Sequence, residues 1–500
     1  MKTNHVERIA VRADDELLGL SAARLAAGIR RRELSPVEVV RAHIERAQRA
    51  DARVHALAYQ RFDAALREAR AAEQQVMRRR DCGPLHGVPC TLKEGLGFAG
   101  LPKTSGSTLR RGYVAKKDST VVARIRAAGA IVIGLTNQSE MALWPAADNL
   151  VYGRTENPWR SGRSAGGSSG GEAAIVAAGA SAFGLGTDGG GSIRIPAAYC
   201  GVFGHKPSSG TAPLSGHLPL DERFGSRPGS QAMARYFAPG PIVRRAEDLM
   251  PVLRAIAGPD GIDRNIAARV LRDPSAALID GRRVLVCDTP ALGRCRCVAA
   301  AAAAAVRRAA MALEQLGAIV VPWTDPLLAR AFDIWASILD ACDGPSLQQM
   351  IGDGSPPALL REAGRRVAGR PDHTLAAWLT CVSERWLSPA PATRRRRRHD
   401  GLVLAQRLRQ ALGPDCLLLL PPVYGEAPGH YHALLHPLDI GLSALFNALE
   451  LPATVAPVST GVHGLPLSVQ IVGPHGGDHL TMSAALGLEQ VLGGWRGPAM

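Results

Sequence analysis

The chain has 500 residues, of which 46% are hydrophobic and 21% are charged, a composition typical of a globular protein with a large core. Its formal net charge of +15 would suit an acidic partner, but only 4% of the residues are aromatic, which disfavours binding to single-stranded nucleic acid by stacking. We therefore expect no nucleic-acid partner. No apolar run reaches the roughly eighteen residues that a membrane span needs. Residues 1–20 lack a basic stretch followed by an apolar one, so they predict no signal peptide and favour a cytoplasmic location.

Residues 21–75 have the apolar spacing of amphipathic helices. Within them, Ser35-Pro36-Val37-Glu38 combines a capping serine, a proline in the first turn and a glutamate three residues after the serine, which predicts the start of a helix. We expect residues 1–75 to form an N-terminal helical segment that packs on a core formed by residues 76–490.

From about residue 80, short apolar segments alternate with helix-like ones. Strands are predicted at 87–92, 130–135, 282–288 and 318–323, with helices between the members of each pair at 119–129 and 298–316. Such alternation predicts an α/β fold: a single large domain with a mixed, mostly parallel central sheet covered by helices on both faces. A further helix is expected to begin near residue 400, with the arginine run 394–398 as a solvent-exposed loop or helix start before it.

Two glycine-rich segments, SAGGSSGGEAA (164–174) and GLGTDGGGSIRIP (184–196), each surround serine. The second contains the spacing of the dinucleotide fingerprint, but no acidic residue for the ribose occurs from 189 to 220 and Pro196 would interrupt the helix. The first contains two G-x-S-x-G matches, but a proline-containing loop precedes them where a nucleophile elbow needs a strand. Neither a dinucleotide site nor an α/β-hydrolase elbow is therefore expected.

Lys93, Ser168 and Ser192 form a third candidate constellation. Lys93 ends an apolar strand-like run, where a charged amine is costly to bury. It could reach outward or pair with Glu94; alternatively, burial could keep it neutral, so that it acts as a base. The second interpretation requires its pKa to fall by about three units from its ordinary value of about 10.4.

Ser192 follows Gly189, Gly190 and Gly191 and is likewise open to two interpretations. It could simply cap a turn. Alternatively, the glycines could turn their backbone N–H groups toward one point, as a developing oxyanion requires, with Ser192 projecting into the carbonyl held there. Small residues flank Ser168, so it could approach both Lys93 and Ser192.

These segments resemble the amidase signature family, and the likeness extends from about residue 17 to about residue 490. The stretches that carry it are GPLHGVPCTLKEG (83–95), NPWRSGRSAGGSSGGEAA (157–174), GLGTDGGGSIRIPAAYCGVFGHKPSSG (184–210), APGPIVRRAEDL (238–249), FNALELPATVAPVS (446–459) and GLPLSVQIVGP (464–474). The Lys-Glu order at 93–94 is similar to the fatty acid amide hydrolase branch.

The resemblance implies an amidase catalytic domain over residues 76–490 that hydrolyses a small-molecule carboxamide without a cofactor or metal. It further implies Ser192 as nucleophile, Ser168 as a bridging serine in a cis peptide linkage and Lys93 as base. The remaining implied site residues are the oxyanion donors, which are the backbone amides of Gly189, Gly190, Gly191 and Ser192, and the supporting residues Ser169, Asp188 and Arg194.

Two alternatives stay open at the level of sequence. The first is the glutaminase subunit of a tRNA-dependent amidotransferase, although residues 215–241 differ from the segment usual in that subgroup. The second is a non-catalytic basic binding protein, which the intact Lys93, Ser168 and Ser192 disfavour. A homodimer is compatible with the sequence, which does not identify the amide or give the arginine run a role.

Overall fold

The computed structural model describes residues 14–78, 82–291, 293, 297–386 and 388–499. The first thirteen residues of the expected N-terminal segment thus lie outside the described residues. Its described part contains helices α1 (Asp14–Gly19), α2 (Ala22–Arg30), α3 (Pro36–Val54) and α4 (Phe62–Met77), with strand β1 (Leu57–Gln60) between the last two. The predicted helix start at Ser35 is confirmed, since its hydroxyl accepts from the Val37 N–H at 3.1 Å.

The strands that follow in the described ranges are β2 (Pro89–Lys93), β3 (Ile131–Thr136), β4 (Asp148–Asn149), β5 (Gly153–Arg154), β6 (Glu156–Asn157), β7 (Arg160–Ser164), β8 (Phe183–Asp188), β9 (Phe203–Lys206), β10 (Ala238–Val243), β11 (Arg283–Val286), β12 (Ile319–Pro322), β13 (Leu417–Leu420), β14 (Ala453–Thr460) and β15 (Pro466–Val472).

The helices that follow in the same ranges are α5 (Thr120–Ala127), α6 (Gly170–Ala177), α7 (Arg194–Cys200), α8 (Ser230–Ala234), α9 (Leu249–Ile256), α10 (Ala300–Glu314), α11 (Ala331–Asp340), α12 (Leu347–Ile351), α13 (Leu359–Val367), α14 (Leu375–Trp386), α15 (Pro391–Leu412), α16 (His432–Leu435), α17 (Gly441–Ala448) and α18 (Asp478–Leu492). None of the described helices is both long and apolar enough to cross a bilayer.

Eleven strands of the described chain form one mixed sheet in the order β1-β3-β2-β8-β10-β9-β14-β15-β13-β11-β12. Both predicted strand–helix–strand units are present, and their strands pair in parallel: β2 with β3 around α5, and β11 with β12 around α10. The fold class is therefore confirmed as a single large α/β domain with a mixed sheet.

The balance of directions differs from the expected mostly parallel sheet. Six of the ten neighbouring pairs are antiparallel and four are parallel. The cause lies in the middle of the sheet, where β10 inserts between β8 and β9 and runs against both, and where β14 and β15 form a hairpin. No helical periodicity marks these connections in the sequence, so the local pattern did not predict them.

Helices cover both faces of the sheet. One cluster of buried apolar side chains includes those of α5, α9, α10 and α18, and a second includes those of α3, α4, α6 and α7. Successive residues of β3 alternate between the clusters, with Val132 in the first and Ile131 and Ile133 in the second. The expected division of the chain at residue 75 stays a prediction, although β1 joins the N-terminal segment to the edge of the sheet through β3.

The arginine run lies within the first turns of α15, which begins at Pro391 and not near residue 400. Proline suits the first turn of a helix and arginine is a good helix former, so the helix extends over the whole run. Arg394 and Arg397 form ion pairs at 3.0 and 3.1 Å with Asp340 and Asp333 of α11. Two of the five arginines thus join neighbouring helices.

Candidate active site

The three candidate residues follow two neighbouring parallel strands. Lys93 is the last residue of β2, whose five residues are all buried, and Ser192 lies in the loop between β8 and α7. Ser168 lies in the loop before α6, directly ahead of Ser169, which begins that helix as its cap. Because β2 and β8 are parallel, their carboxyl ends meet at the same edge of the sheet.

The side chain of Lys93 is fully buried and points to two hydroxyl groups. Its Nζ lies 2.6 Å from Ser168 Oγ and 2.9 Å from Thr187 Oγ1. Burial lowers the pKa of the amine to about 7, although the nearby carboxyl groups of Asp188 and Glu172 act in the opposite direction. A large fraction of the amine is therefore neutral near pH 7, and the interpretation that it reaches outward is wrong.

Glu94 does not pair with Lys93, the other simple interpretation of that residue. Its carboxyl group is buried and accepts hydrogen bonds from the N–H groups of Thr104 and Ser105 and from the Tyr152 hydroxyl, the last at 3.1 Å. These partners hold the segment after Lys93 against the loop at 104–105. Glu94 thus satisfies its carboxyl group without using the amine.

A different carboxyl group, that of Glu172 on α6, lies near Lys93. It is fully buried, and the hydroxyl groups of Thr91 and Thr136 donate to it, the latter at 2.7 Å. Burial raises its pKa to about 8. Glu172 is therefore mostly protonated at pH 7 and supplies little negative charge that would hold a proton on Lys93.

The two serine-containing loops touch through their backbones. The peptide bond between Gly167 and Ser168 is cis, as the family resemblance implies. One residue further on, the Ser169 N–H donates to the Ser192 carbonyl at 3.2 Å, and the Ser169 hydroxyl donates to the Thr187 carbonyl at 3.3 Å. Although both lie in described ranges, the Ser168 and Ser192 hydroxyls share no hydrogen bond. The structure thus brings the three candidates together but forms only the Lys93–Ser168 link directly.

The loop before Ser192 requires glycine for steric reasons. A Cβ atom on Gly189 would lie 2.2 Å from the ring of Phe237. Gly191 has a φ of +107°, which side chains rarely adopt, and a Cβ atom there would lie 2.6 Å from Ser443 Cβ. The glycines thus allow α17 and the loop before β10 to approach the backbone closely.

Three backbone N–H groups of this loop, those of Gly189, Gly190 and Ser192, make no hydrogen bond with the described part of the chain. The Gly191 N–H differs from the expectation, because it donates to Asp188 Oδ1 at 2.7 Å. This donor is already used, so the expected set of four free donors is reduced to three.

The peptide units that carry the three free donors are each held at their carbonyl end. Asn447 Nδ2 donates to the Asp188 carbonyl at 2.9 Å, and Trp335 Nε1 donates to the Gly189 carbonyl at 2.8 Å. The Ile195 N–H donates to the Gly191 carbonyl at 2.7 Å. In a trans peptide, the carbonyl and the next N–H point in opposite directions, so these bonds fix where the N–H groups of the following residues point.

Asp188 and Arg194 form a fully buried ion pair that closes the loop. Burial alone would raise the pKa of Asp188, but the Arg194 guanidinium and the N–H groups that donate to the carboxylate hold it well below its ordinary value. Arg194 also donates to Gln470 Oε1 at 2.7 Å and to the Asn447 side chain. The pair thus connects the loop to α17 and β15.

Sequence reasoning missed four residues of this site. Thr187 directly precedes Asp188 in the quoted glycine motif, and Asn447 and Gln470 lie within the quoted closing segments, so the signal for them was present but was not given to single residues. Trp335 lies on α11, 146 positions from the carbonyl that it contacts, and no local pattern marks it. The described ranges contain no cluster of His, Cys, Asp and Glu side chains that could hold a metal ion.

Comparison with known proteins agrees with this fold and site. The model of the family described as Amidase matches residues 38–482. The chain therefore belongs to the amidase family and is an enzyme that hydrolyses amide C–N bonds.

Two curated relatives cover nearly the whole chain. Fatty-acid amide hydrolase 2-B of Danio rerio is 36% identical over 498 residues, which are 97% of this chain and 91% of that protein. A glutamyl-tRNA(Gln) amidotransferase subunit of Anaeromyxobacter sp. (strain K) is 32% identical over 516 residues, with 96% and 97% covered. Among solved structures, 6-aminohexanoate cyclic dimer hydrolase complexed with substrate superposes with a TM-score of 0.77 at 28% identity, covering 95% of this chain and 97% of that one.

Proposed function

We propose that this enzyme hydrolyses a carboxamide through an acyl-enzyme on Ser192, with Lys93 as the base and Ser168 as the bridging proton carrier. The observation that carries the proposal is the buried Lys93 amine, whose pKa is lowered to about 7 and whose Nζ lies 2.6 Å from Ser168 Oγ. A base of this pKa is matched to reaction near neutral pH.

Acylation begins when the Ser192 oxygen attacks the amide carbonyl and its proton passes to Ser168, as the Ser168 proton passes to Lys93. Substrate binding or rotation of the partly exposed Ser192 side chain brings the two hydroxyls within hydrogen-bonding distance. The carbonyl carbon then bears a new C–O bond and a negatively charged oxygen. When the C–N bond breaks, the proton returns along the same route to the leaving nitrogen. Water then cleaves the ester on Ser192, which releases the carboxylate and restores the hydroxyl.

The oxyanion is stabilised by the free N–H groups of Gly189, Gly190 and Ser192. Each belongs to a peptide unit held at its carbonyl, so the donors need little reorganisation as charge develops. Gly191 contributes its backbone conformation, since its own N–H is engaged by Asp188.

We infer that the acyl group is apolar. Support comes from Trp335, whose ring lies within 3.1 Å of the position of a Cβ atom on Gly190, beside the expected acyl carbon, and which contacts Phe332. The relatives named fatty-acid amide hydrolase agree with this chemistry. The amidotransferase subunits are the competing relatives, with lower identity over the same length.

The test is a panel of primary amides of acetic, hexanoic, decanoic and oleic acid, together with an aryl anilide and glutamine. Each is assayed with the wild type, Ser192→Ala and, as a matched control, Ser383→Ala, which changes an exposed serine. We expect turnover of the longer acyl amides to fall at least about 10³-fold in Ser192→Ala and not in Ser383→Ala. Equal turnover by Ser192→Ala would refute the nucleophile, and hydrolysis of glutamine alone would favour the amidotransferase function.

A further inference from the structure

Beyond Lys93, a chain of buried polar groups continues away from Ser168. Thr187 Oγ1 lies 2.9 Å from Lys93 Nζ and 3.3 Å from His217 Nε2. The other ring nitrogen of His217, Nδ1, lies 2.9 Å from the Leu218 carbonyl oxygen. All three side chains are at most 3% exposed. His217 comes from the loop between β9 and β10, far from the glycine motifs in sequence.

The direction of every hydrogen in this chain follows from its last member. A carbonyl oxygen can only accept, so His217 carries its hydrogen on Nδ1. Burial, and then the positive charges of Lys93, Lys103 and Arg110, lowers the pKa of His217 to about 3, which keeps the ring neutral. Its Nε2 therefore accepts, and the Thr187 hydroxyl must donate to it.

This arrangement determines how Lys93 can use its amine. With its own hydrogen directed at His217, the Thr187 oxygen can only accept from Lys93. A neutral amine has two hydrogens and one lone pair. One hydrogen is thus placed on Thr187, and the lone pair is left to accept the proton of Ser168.

We propose that His217 is a positioning residue that acts through Thr187 to keep the lone pair of the Lys93 amine directed at Ser168. The inference rests on the proposed function of Lys93 as base. Without an acceptor at position 217, the Thr187 hydroxyl can rotate and donate to the amine, and it then competes with Ser168 for the lone pair.

The proposal makes an unusual demand on double variants. Replacing His217 by leucine removes the acceptor and leaves a competing hydroxyl at Thr187. Replacing Thr187 by valine in addition removes that competitor. The double variant Thr187→Val/His217→Leu should therefore be faster than His217→Leu alone, which a purely structural role of His217 would not produce.

The experiment measures the rate of covalent labelling by a long-chain fluorophosphonate, which reports attack by Ser192 on any suitable electrophile, together with kcat and KM for decanamide. We expect His217→Leu to slow labelling and kcat by about tenfold with little change in KM, the effect of one lost hydrogen bond that orders the site. His217→Gln, which keeps an acceptor, should recover most of that loss, and the double variant should recover part of it.

His43 provides a matched control. It is also fully buried, burial lowers its pKa to about 3, and its Nδ1 lies 2.8 Å from the Val39 carbonyl, but it lies on α3, away from the Lys93–Thr187–His217 chain. His43→Leu should label at the wild-type rate. Thermal melts check folding, and His217→Met replaces His217→Leu if the latter does not fold.

Two outcomes would overturn the proposal: labelling of the apolar His217 variant at the wild-type rate, or losses in the double variant that multiply those of Thr187→Val and the apolar variant. Ser192→Ala, run in parallel, separates this failure from that of the proposed function. If Ser192→Ala still labels at the wild-type rate, the nucleophile assignment fails first. If it does not label while the His217 variants behave like wild type, only the role of His217 is refuted.

Discussion

At the scale of single residues, burial acts in opposite directions on two neighbouring ionisable groups. It lowers the pKa of the Lys93 amine to about 7 and raises the pKa of the Glu172 carboxyl group to about 8. Between these values both groups are mostly neutral, because each charged form loses its hydration inside the protein. The same physical cause therefore prepares the base and keeps its neighbour from holding a proton on it.

The pH dependence of the reaction should reveal this lowered pKa. Lys93 can accept a proton only when neutral, so kcat/KM should be level above about pH 8 and fall about tenfold per pH unit below pH 7. The measurement is kcat/KM for decanamide from pH 5 to pH 9, repeated with fluorophosphonate labelling so that ionisation of the substrate does not contribute. A plateau that continues down to pH 5 would contradict the role of Lys93.

At the scale of elements, two helices from distant parts of the chain meet at the glycine loop. Asn447 on α17 and Trp335 on α11 each donate to one of its carbonyls. The two helices also pack against each other, and α11 packs on α15 as well. The helices between residues 331 and 412 are therefore connected directly to the N–H groups that we assign to the oxyanion.

Replacing Trp335 by phenylalanine should weaken this connection without emptying the space. The ring is kept but the N–H that holds the Gly189 carbonyl is lost, so the Gly190 N–H is held less firmly. Because removing an oxyanion donor outright costs about 10²–10³ in rate, we expect a smaller loss in kcat of roughly tenfold. Steady-state kinetics with decanamide provide the measurement.

Trp378→Phe is the matched control for this prediction. Trp378 lies on α14, and its indole N–H also donates to a backbone carbonyl, that of Leu359, at 3.2 Å, but not in the glycine loop. Equal changes in kcat for the two variants would mean that Trp335 acts only on general packing.

At the scale of the whole molecule, the sheet joins parts of the chain that lie far apart in sequence. Strand β1 of the N-terminal segment pairs with β3 at one edge. Helix α2 begins with the N–H groups of Ala22 and Ala23 donating to Asp248, at 2.8 and 2.9 Å. The N-terminal segment thus completes both an edge of the sheet and a buried hydrogen-bonding group of the core.

Deletion of residues 1–75 should therefore abolish folding of the remainder. It would expose the edge of β3 and leave the Asp248 carboxyl group without its backbone donors in a buried site. We expect the full chain to unfold in urea with coincident far-UV circular dichroism and tryptophan fluorescence transitions. A stable fragment 76–500, or two separate transitions in the full chain, would show that the N-terminal segment is an independent unit.

The amino-acid sequence by itself determined the features that depend on neighbouring residues. The start of α3 at Ser35, the two parallel strand–helix–strand units and the glycine loop around Ser192 could all be predicted, because capping, periodicity and backbone freedom are local properties. Lys93, Ser168 and Ser192 were identified from motifs of the same kind.

Only the tertiary structure decided the features that depend on contacts across the chain. The antiparallel centre of the sheet, the engagement of the Gly191 N–H by Asp188, and the contacts of Trp335, Asn447 and His217 follow from how distant elements pack. The neutral state of Lys93 belongs with them, because the pKa of an amine depends on how completely the folded chain removes it from water and on which groups then surround it.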